Sequence, residues 1–328
     1  RRVHGISKGT FVLKLYNTSQ MVNLVAAQRP ILRTLMKLAG VAQHTVEVVP
    51  GTVLTFWVPV ELVKKGNPIH VLRPTKPAVV LVHGFAAEGI VTWQFQVAAL
   101  TKKYSVYIPD LLFFGGSVTD KQERTPRFQA ETLIQGLMKL GIDKCALVGF
   151  SYGGMVAFKM AELRPNFFRG LVVSGAAWPI SDSILTVSLG RLGVKSSSEF
   201  LLPTSVEGLK ALLSAAAHKR LWFPNRLYKD FLEVMLTNRK ERDELLNEVV
   251  NEKETATLKS SMKVHLLWGE MDRIFDIGLA KNMKEQLGEN GTLQIIEAGG
   301  HLAHLERPLL YNKYLTRFLD SLDSKEEK

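Results

Sequence analysis

The run Gly149-Phe150-Ser151-Tyr152-Gly153, followed by Gly154, has the form G-x-S-x-G. It follows the apolar run Ala146 to Gly149 and precedes a helical pattern near 153–163. That context reads as a nucleophile elbow, a tight strand-to-helix turn that projects a serine hydroxyl at a helix N-terminus, where the helix dipole favours developing negative charge. A serine hydroxyl needs a base to remove its proton, and the base needs an acid to orient it. The run Ala298-Gly299-Gly300-His301-Leu302-Ala303-His304 follows the last strand pattern and supplies His301 as the expected base. His304, three residues on, competes and reads better as a structural residue. Val264 to Gly269 is a strand pattern followed by Glu270-Met271-Asp272-Arg273, which makes Asp272 the expected acid, with Glu270 and Asp276 as lesser candidates. The chain order Ser, Asp, His is that of one hydrolase architecture and differs from the orders of the trypsin-like and subtilisin-like proteases.

These residues require elements that bring distant segments together. Thr45 to Val49 and Val53 to Val58, separated by Pro50-Gly51, read as a hairpin. Val79 to Val82, Ser105 to Ile108, Ala146 to Gly149, Leu171 to Val173, Val264 to Leu267 and Leu293 to Ile296 are short, continuous apolar runs. Such runs suit parallel strands covered on both faces. Helical patterns lie near 92–101, 126–140, 153–163, 277–287 and 308–322, so the expected architecture is α/β, a doubly wound, mostly parallel sheet. After Leu171 to Val173 the alternation stops for about 90 residues that contain helical stretches and no good strand. That interval is read as a helical cap over 177–259. It divides a core of 43–176 and 260–322, flanked by an N-terminal extension with a basic amphipathic helix over 1–42 and a charged tail over 323–328.

Bulk composition excludes several classes. The chain has 328 residues, 46% hydrophobic and 22% charged, one cysteine (Cys145) and a net charge of +11. A single cysteine rules out a disulfide scaffold, and the scattered histidines form no paired zinc motif, so no metal is expected. No apolar run reaches the roughly 18–20 residues of a membrane span. Basic residues are not interleaved with aromatics along any stretch, so no nucleic acid is expected as a partner. Residues 1–50 hold seven Lys or Arg against one acid. Residues 1–20 show weak periodicity and read as an upstream extension before Met21. Over 21–38, apolar residues accompany Arg29, Arg33 and Lys37, four apart. This pattern predicts a basic amphipathic helix, broken or restarted at Pro30, either packed on the core or lying peripherally on a membrane. Without disulfides or a signal-peptide pattern, the expected location is cytoplasmic, at an organelle surface such as the ER if the helix binds lipid.

With these motifs in order, the sequence resembles the α/β-hydrolase superfamily, and its wording is similar to that of a group of plant members related to monoacylglycerol lipases and carbon-carbon bond hydrolases. The resemblance runs from Met21 to about Leu322 and is weakest in the cap. It implies a triad of Ser151, Asp272 and His301, with no cofactor. It also implies that His83-Gly84-Phe85 is the oxyanion loop, so that the amides of Phe85 and Tyr152 hold the oxyanion. One departure stands out. Where relatives carry D-x-x-G-x-G-x-S, this chain has Asp110-Leu111-Leu112-Phe113-Phe114-Gly115-Gly116-Ser117, with Phe113 at the first glycine position. The expected reaction is hydrolysis of a small hydrophobic ester, a monoacylglycerol, alkyl or aryl/benzyl-type ester, through an acyl-enzyme on Ser151. The alternatives are carbon-carbon hydrolysis with the same triad and a ligand receptor without turnover. The expected pocket residues are Phe113, Phe114, Trp178, Phe200 and Trp222. Oligomeric state is left open.

Overall fold

The computed structural model describes residues 22–63, 75–177, 179–251 and 262–323. The chain enters as helix α1 (Leu24–Leu38), capped by Asn23, whose side chain accepts from the Ala26 amide at 2.9 Å. The helix runs unbroken through Pro30, contrary to the break expected there. Proline removes one backbone donor, but the Asn23 side chain, the Leu24 amide and the Arg29 side chain bind other elements before it, and Met36 is buried in the core after it.

The hairpin follows as β1 (Val41–Val49) and β2 (Thr52–Pro59), joined through Gly51 in the left-handed region (φ 79°). The remaining core strands are β3 (Ala78–Val82), β4 (Ser105–Pro109), a two-residue β5 (Val118–Thr119), β6 (Cys145–Phe150), β7 (Phe168–Ser174), β8 (Val264–Gly269) and β9 (Gly291–Ile296). Their order in the sheet is β1-β2-β4-β3-β6-β7-β8-β9, with β5 paired to β2. Pairing is parallel from β4 through β9 and antiparallel for the hairpin and its junction with β4. The short exposed β5 has no apolar run to mark it.

Every residue of β3 and β6 is buried, which explains the continuous apolar runs. Their side chains alternate between two cores, with Val80 and Val82 on one face and Val79 and Leu81 on the other. The first face is covered by α3 (Pro126–Lys139), α4 (Tyr152–Leu163) and α10 (Ile277–Leu287). The second is covered by α2 (Gly89–Leu100), the long α12 (Pro308–Asp323) and Met36 of α1. A short helix, α11 (Ala303–Glu306), precedes α12.

Between β7 and β8 lie α5 (Asp182–Leu192), α6 (Ser197–Leu201), α7 (Val206–Ala216), α8 (Asn225–Met235) and α9 (Arg239–Asn251). Ser181, Ser196 and Ser205 cap the first three, each hydroxyl accepting from the amide three residues on. Apolar positions from these helices join the core on the α3–α4 face, Leu209, Leu212 and Leu246 among them.

Candidate active site

Ser151 sits between β6 and α4 with φ 53° and ψ −126°, a strained backbone for a non-glycine residue. Flanking glycines make the turn possible. A Cβ on Gly153 would run into the carbonyl oxygens of Val82 and His83, and one on Gly149 would come within 2.6 Å of the Gly153 oxygen. The elbow is tied to the neighbouring strand by the Ser151 amide, which donates to Ser174 O at 2.9 Å. The hydroxyl thus stands at the N-terminus of α4, and Tyr152 is the first residue of that helix.

Asp272 and His301 reach each other from two neighbouring turns at the carboxyl edge of the sheet. The turn after β8 is knitted to the one after β9, with the Glu270 amide donating to Ile296 O and the Met271 amide to Gly299 O. Both side chains are buried, and His301 Nδ1 lies 2.8 Å from Asp272 Oδ2. The other carboxylate oxygen accepts from the amides of Ile274 and Phe275 at 2.9 and 3.0 Å. An oxygen held by two amides fixes the carboxylate plane, so the second oxygen is presented to the imidazole in one orientation. The other acids stand apart from His301. Glu270 is exposed and accepts from the Ala298 amide, whereas Asp276 caps α10 and pairs with Arg191.

Gly175, which sequence reasoning overlooked, sets the far wall. Its φ is 56°, and a Cβ there would lie 2.7 Å from His301 Cε1 and 2.8 Å from Nδ1. The signal was available as a glycine directly after β7, the parallel neighbour of the elbow strand. Glu306 also went unnoticed. Its carboxylate accepts from the amides of Gly300 and Lys219, joining the histidine loop to the segment after α7.

His83 and His304 are structural. His83 Nε2 accepts from the Leu111 amide at 2.9 Å, so Nδ1 carries the proton toward Gly84 O at 2.7 Å. Complete burial lowers its pKa to about 4. His304 is buried against Phe150, with ring centroids 4.3 Å apart, and burial with the nearby His301 lowers its pKa to about 3. It does not line the cavity.

Ser151 and His301 open on one cavity of about 130 Å³, lined also by Phe85, Tyr152 and Phe200. Its other walls are mainly leucine, isoleucine, valine and phenylalanine from α5 to α9, and among the described residues no Lys, Arg, Asp or Glu lines it. Phe85 and Tyr152 pack edge to face at 5.6 Å. The four other expected pocket residues lie elsewhere or outside the described residues. Phe113 takes φ 72° and turns its ring under the Arg124 guanidinium, 4.4 Å away. Phe114 is fully buried beside His83 and Phe85 and beneath Arg242. Neither lines the cavity, because the loop after β4 directs both side chains into packing below it. Trp222 is 78% exposed, on a loop that leaves the cavity wall after Ala216. Trp178 lies outside the described residues.

The loop holding Phe113 instead fastens the helical segment to the sheet. Phe113 O accepts from Asn238 Nδ2 and Arg242 Nε, both at 3.0 Å, and Arg242 also donates to Met235 O. Arg242 is buried, and desolvation lowers its pKa to about 10. Among the described residues no group of three or more His, Cys, Asp or Glu is placed to hold a metal ion, and no helix is long and apolar enough to cross a membrane.

The family model described as the alpha/beta hydrolase fold matches residues 77–308. Monoacylglycerol lipase ABHD6 of Mus musculus is 24% identical over 276 residues, covering 80% of each chain. Epoxide hydrolase 3 of Xenopus tropicalis is 26% identical over 264 residues, covering 74% of this chain and 71% of that protein. Among solved structures, a bacterial membrane phospholipase A superposes with a TM-score of 0.74 at 24% identity, covering 92% of this chain and 91% of its own. The 2-hydroxy-6-oxo-6-phenylhexa-2,4-dienoate hydrolase from Rhodococcus sp. strain RHA1 superposes at 0.69 with 20% identity, covering 85% and 99%. A parallel sheet with an elbow after β6, an aspartate after β8 and a histidine after β9 is thus matched by a family model over most of its length, and the chain belongs to the α/β-hydrolase fold family.

Proposed function

We infer that this hydrolase cleaves neutral, hydrophobic carboxylic esters through an acyl-enzyme on Ser151. The observation that carries this reading is the buried Asp272–His301 pair opening, beside Ser151, on a cavity that no charged side chain lines among the described residues. With Nδ1 bonded to Asp272, the ring nitrogen left for the serine is Nε2. His301 takes the hydroxyl proton as Ser151 attacks the carbonyl, and Asp272 stabilises the imidazolium that forms. The amides of Phe85 and Tyr152 receive the oxyanion, with the α4 dipole behind them. The proton on His301 passes to the leaving alkoxide. Water, activated by the same imidazole, then releases the acid.

Substrate class follows from the walls. An apolar cavity accepts an acyl chain or aryl group but offers no cation to a carboxylate, and a desolvated, unpaired anion is costly. That disfavours the anionic dienoates of carbon-carbon hydrolysis and supports monoacylglycerols, alkyl esters or aryl esters. The names of the lipase relatives support the same class. Steady-state hydrolysis of nitrophenyl esters from acetyl through decanoyl to benzoyl tests the reading. Medium-chain esters are expected to turn over many times, with Ser151→Ala reduced by a factor of about 10³ or more. Undiminished turnover in that variant, or none with any ester in the folded wild type, would reject it.

A further inference from the structure

Helix α1 buries one side and leaves a second apolar side in water. Met36 is buried, with Val25 and Leu32 half-buried on the same side. Leu24, Ile31, Leu35 and Leu38 are 44, 63, 53 and 80% exposed. At about 100° per residue these four fall within roughly 60° of one another, along about 21 Å of helix. Arg33 and Lys37 are exposed on the same helix.

A second exposed run begins after α7. Lys219, Arg220, Leu221, Trp222 and Phe223 are consecutive and all exposed. Their loop meets the start of α1, because α8 and α1 lie side by side. Arg226 donates to Val22 O at 2.7 Å, the Leu24 amide donates to Asp230 Oδ2 at 2.8 Å, and the side chains of Arg29 and Met235 meet farther along. Val22, at the junction, is 69% exposed. Both runs are rooted at the candidate site. Ala216, at the end of α7, lines the cavity and accepts from the Leu302 amide. Arg29 pairs at 2.7 Å with Glu88, three residues after Phe85.

Scattered surface aliphatics need no explanation, but a stripe of four continued by Val22 and Leu-Trp-Phe does. Lys219 and Arg220 directly precede Leu-Trp-Phe, Arg33 and Lys37 lie on the side of α1 away from the stripe, about 170° and about 130° from its centre, and the chain as a whole carries +11. Aliphatics and an indole beside lysine and arginine fit the interface of an anionic bilayer. The apolar groups enter the acyl boundary while the cations stay among the phosphates. We propose that the exposed stripe of α1 and the 219–223 loop form one docking face for an anionic lipid surface, which brings the rim of the cavity against the membrane. This face is defined by exposure and charge, independently of the role of Ser151.

The test is flotation of the full chain with vesicles of phosphatidylcholine alone and with phosphatidylglycerol as about one third of the lipid. Flotation is expected with the anionic vesicles, weakened by high salt. Ile31→Gln with Leu35→Gln, and separately Leu221→Ser with Trp222→Ser, are each expected to reduce the floated fraction about fivefold or more while the thermal midpoint is retained. In a Trp178→Phe background, Trp222→Phe is expected to float like that background but to lose the vesicle-induced blue shift, since the other tryptophans, Trp57, Trp93 and Trp268, are already buried. No flotation with anionic vesicles would overturn the proposal, as would undiminished flotation of both double variants. So would a solution dimer that the α1 variant dissociates, because the stripe would then be an interface between copies.

Discussion

At the scale of single residues, the site depends on two that are out of the ordinary, one strained and one missing a side chain. Ser151 adopts a positive φ that costs on the order of 1–3 kcal/mol, offset by the packing of Gly149 and Gly153 around it. Gly175 leaves the space that the imidazole fills. Gly175→Ala is expected to lower kcat about 100-fold with KM nearly unchanged, since its Cβ would displace His301 and not the substrate. Unchanged kcat in a folded variant would remove Gly175 from the account. Asp110 gives a separate pH prediction. Its buried carboxyl accepts from the Gly89 amide at 2.7 Å, and burial raises its pKa to about 7 against the opposing pull of that amide. A raised carboxyl pKa means that the folded protein binds the proton more tightly than the unfolded chain. This residue's contribution therefore declines as pH rises from about 4 to 7 and is at its most unfavourable above 7. Asp110→Asn keeps the acceptor and loses the charge. Urea titrations are expected to show it equal to the wild type near pH 4 and more stable at pH 8, by up to about 4 kcal/mol. A difference independent of pH would contradict this.

At the scale of elements, the helices between β7 and β8 are held by a junction that the sequence motif displays only as a departure. Phe113 stands in a left-handed conformation and offers its carbonyl to Asn238 and Arg242. Arg242→Met keeps the aliphatic stem and removes the donors, leaving Met235 O without its bond from this side chain. A loss of about 2–3 kcal/mol of unfolding free energy is expected from denaturant titration. A loss below about 0.5 kcal/mol would show that the junction does not hold these helices. Elements with both faces buried were legible, because β3 and β6 had to be apolar throughout. Helix α1 was legible in its periodicity but not in its continuity past Pro30, where Met36 packs into the core while bonds to α8 and Glu88 hold the turns before it. The elbow and the aspartate and histidine loops were readable because each is a short local pattern at a strand end. The cavity walls were not. Whether Phe113, Phe114 or Trp222 faces a cavity, a neighbouring ring or water is set by Arg124 over the first ring, by His83, Phe85 and Arg242 around the second, and by loop direction for the third.

At the scale of the whole molecule, the parallel sheet gathers residues 151, 272 and 301 at one edge, and the helices inserted after β7 close over them a cavity whose described walls are apolar. The excess positive charge lies partly on α1 and on the loop before α8, away from the cavity walls. This division puts apolar recognition inside the molecule and electrostatic attraction on its surface. The central claim is that Ser151 carries the acyl group. Its most direct test is to quench the protein in acid during the first turnovers of nitrophenyl decanoate and to map the adduct by peptide mass spectrometry. The account predicts a decanoyl ester on the Ser151 peptide that is absent from Ser151→Ala. A decanoyl group on another residue, with ester turnover intact in Ser151→Ala, would contradict it.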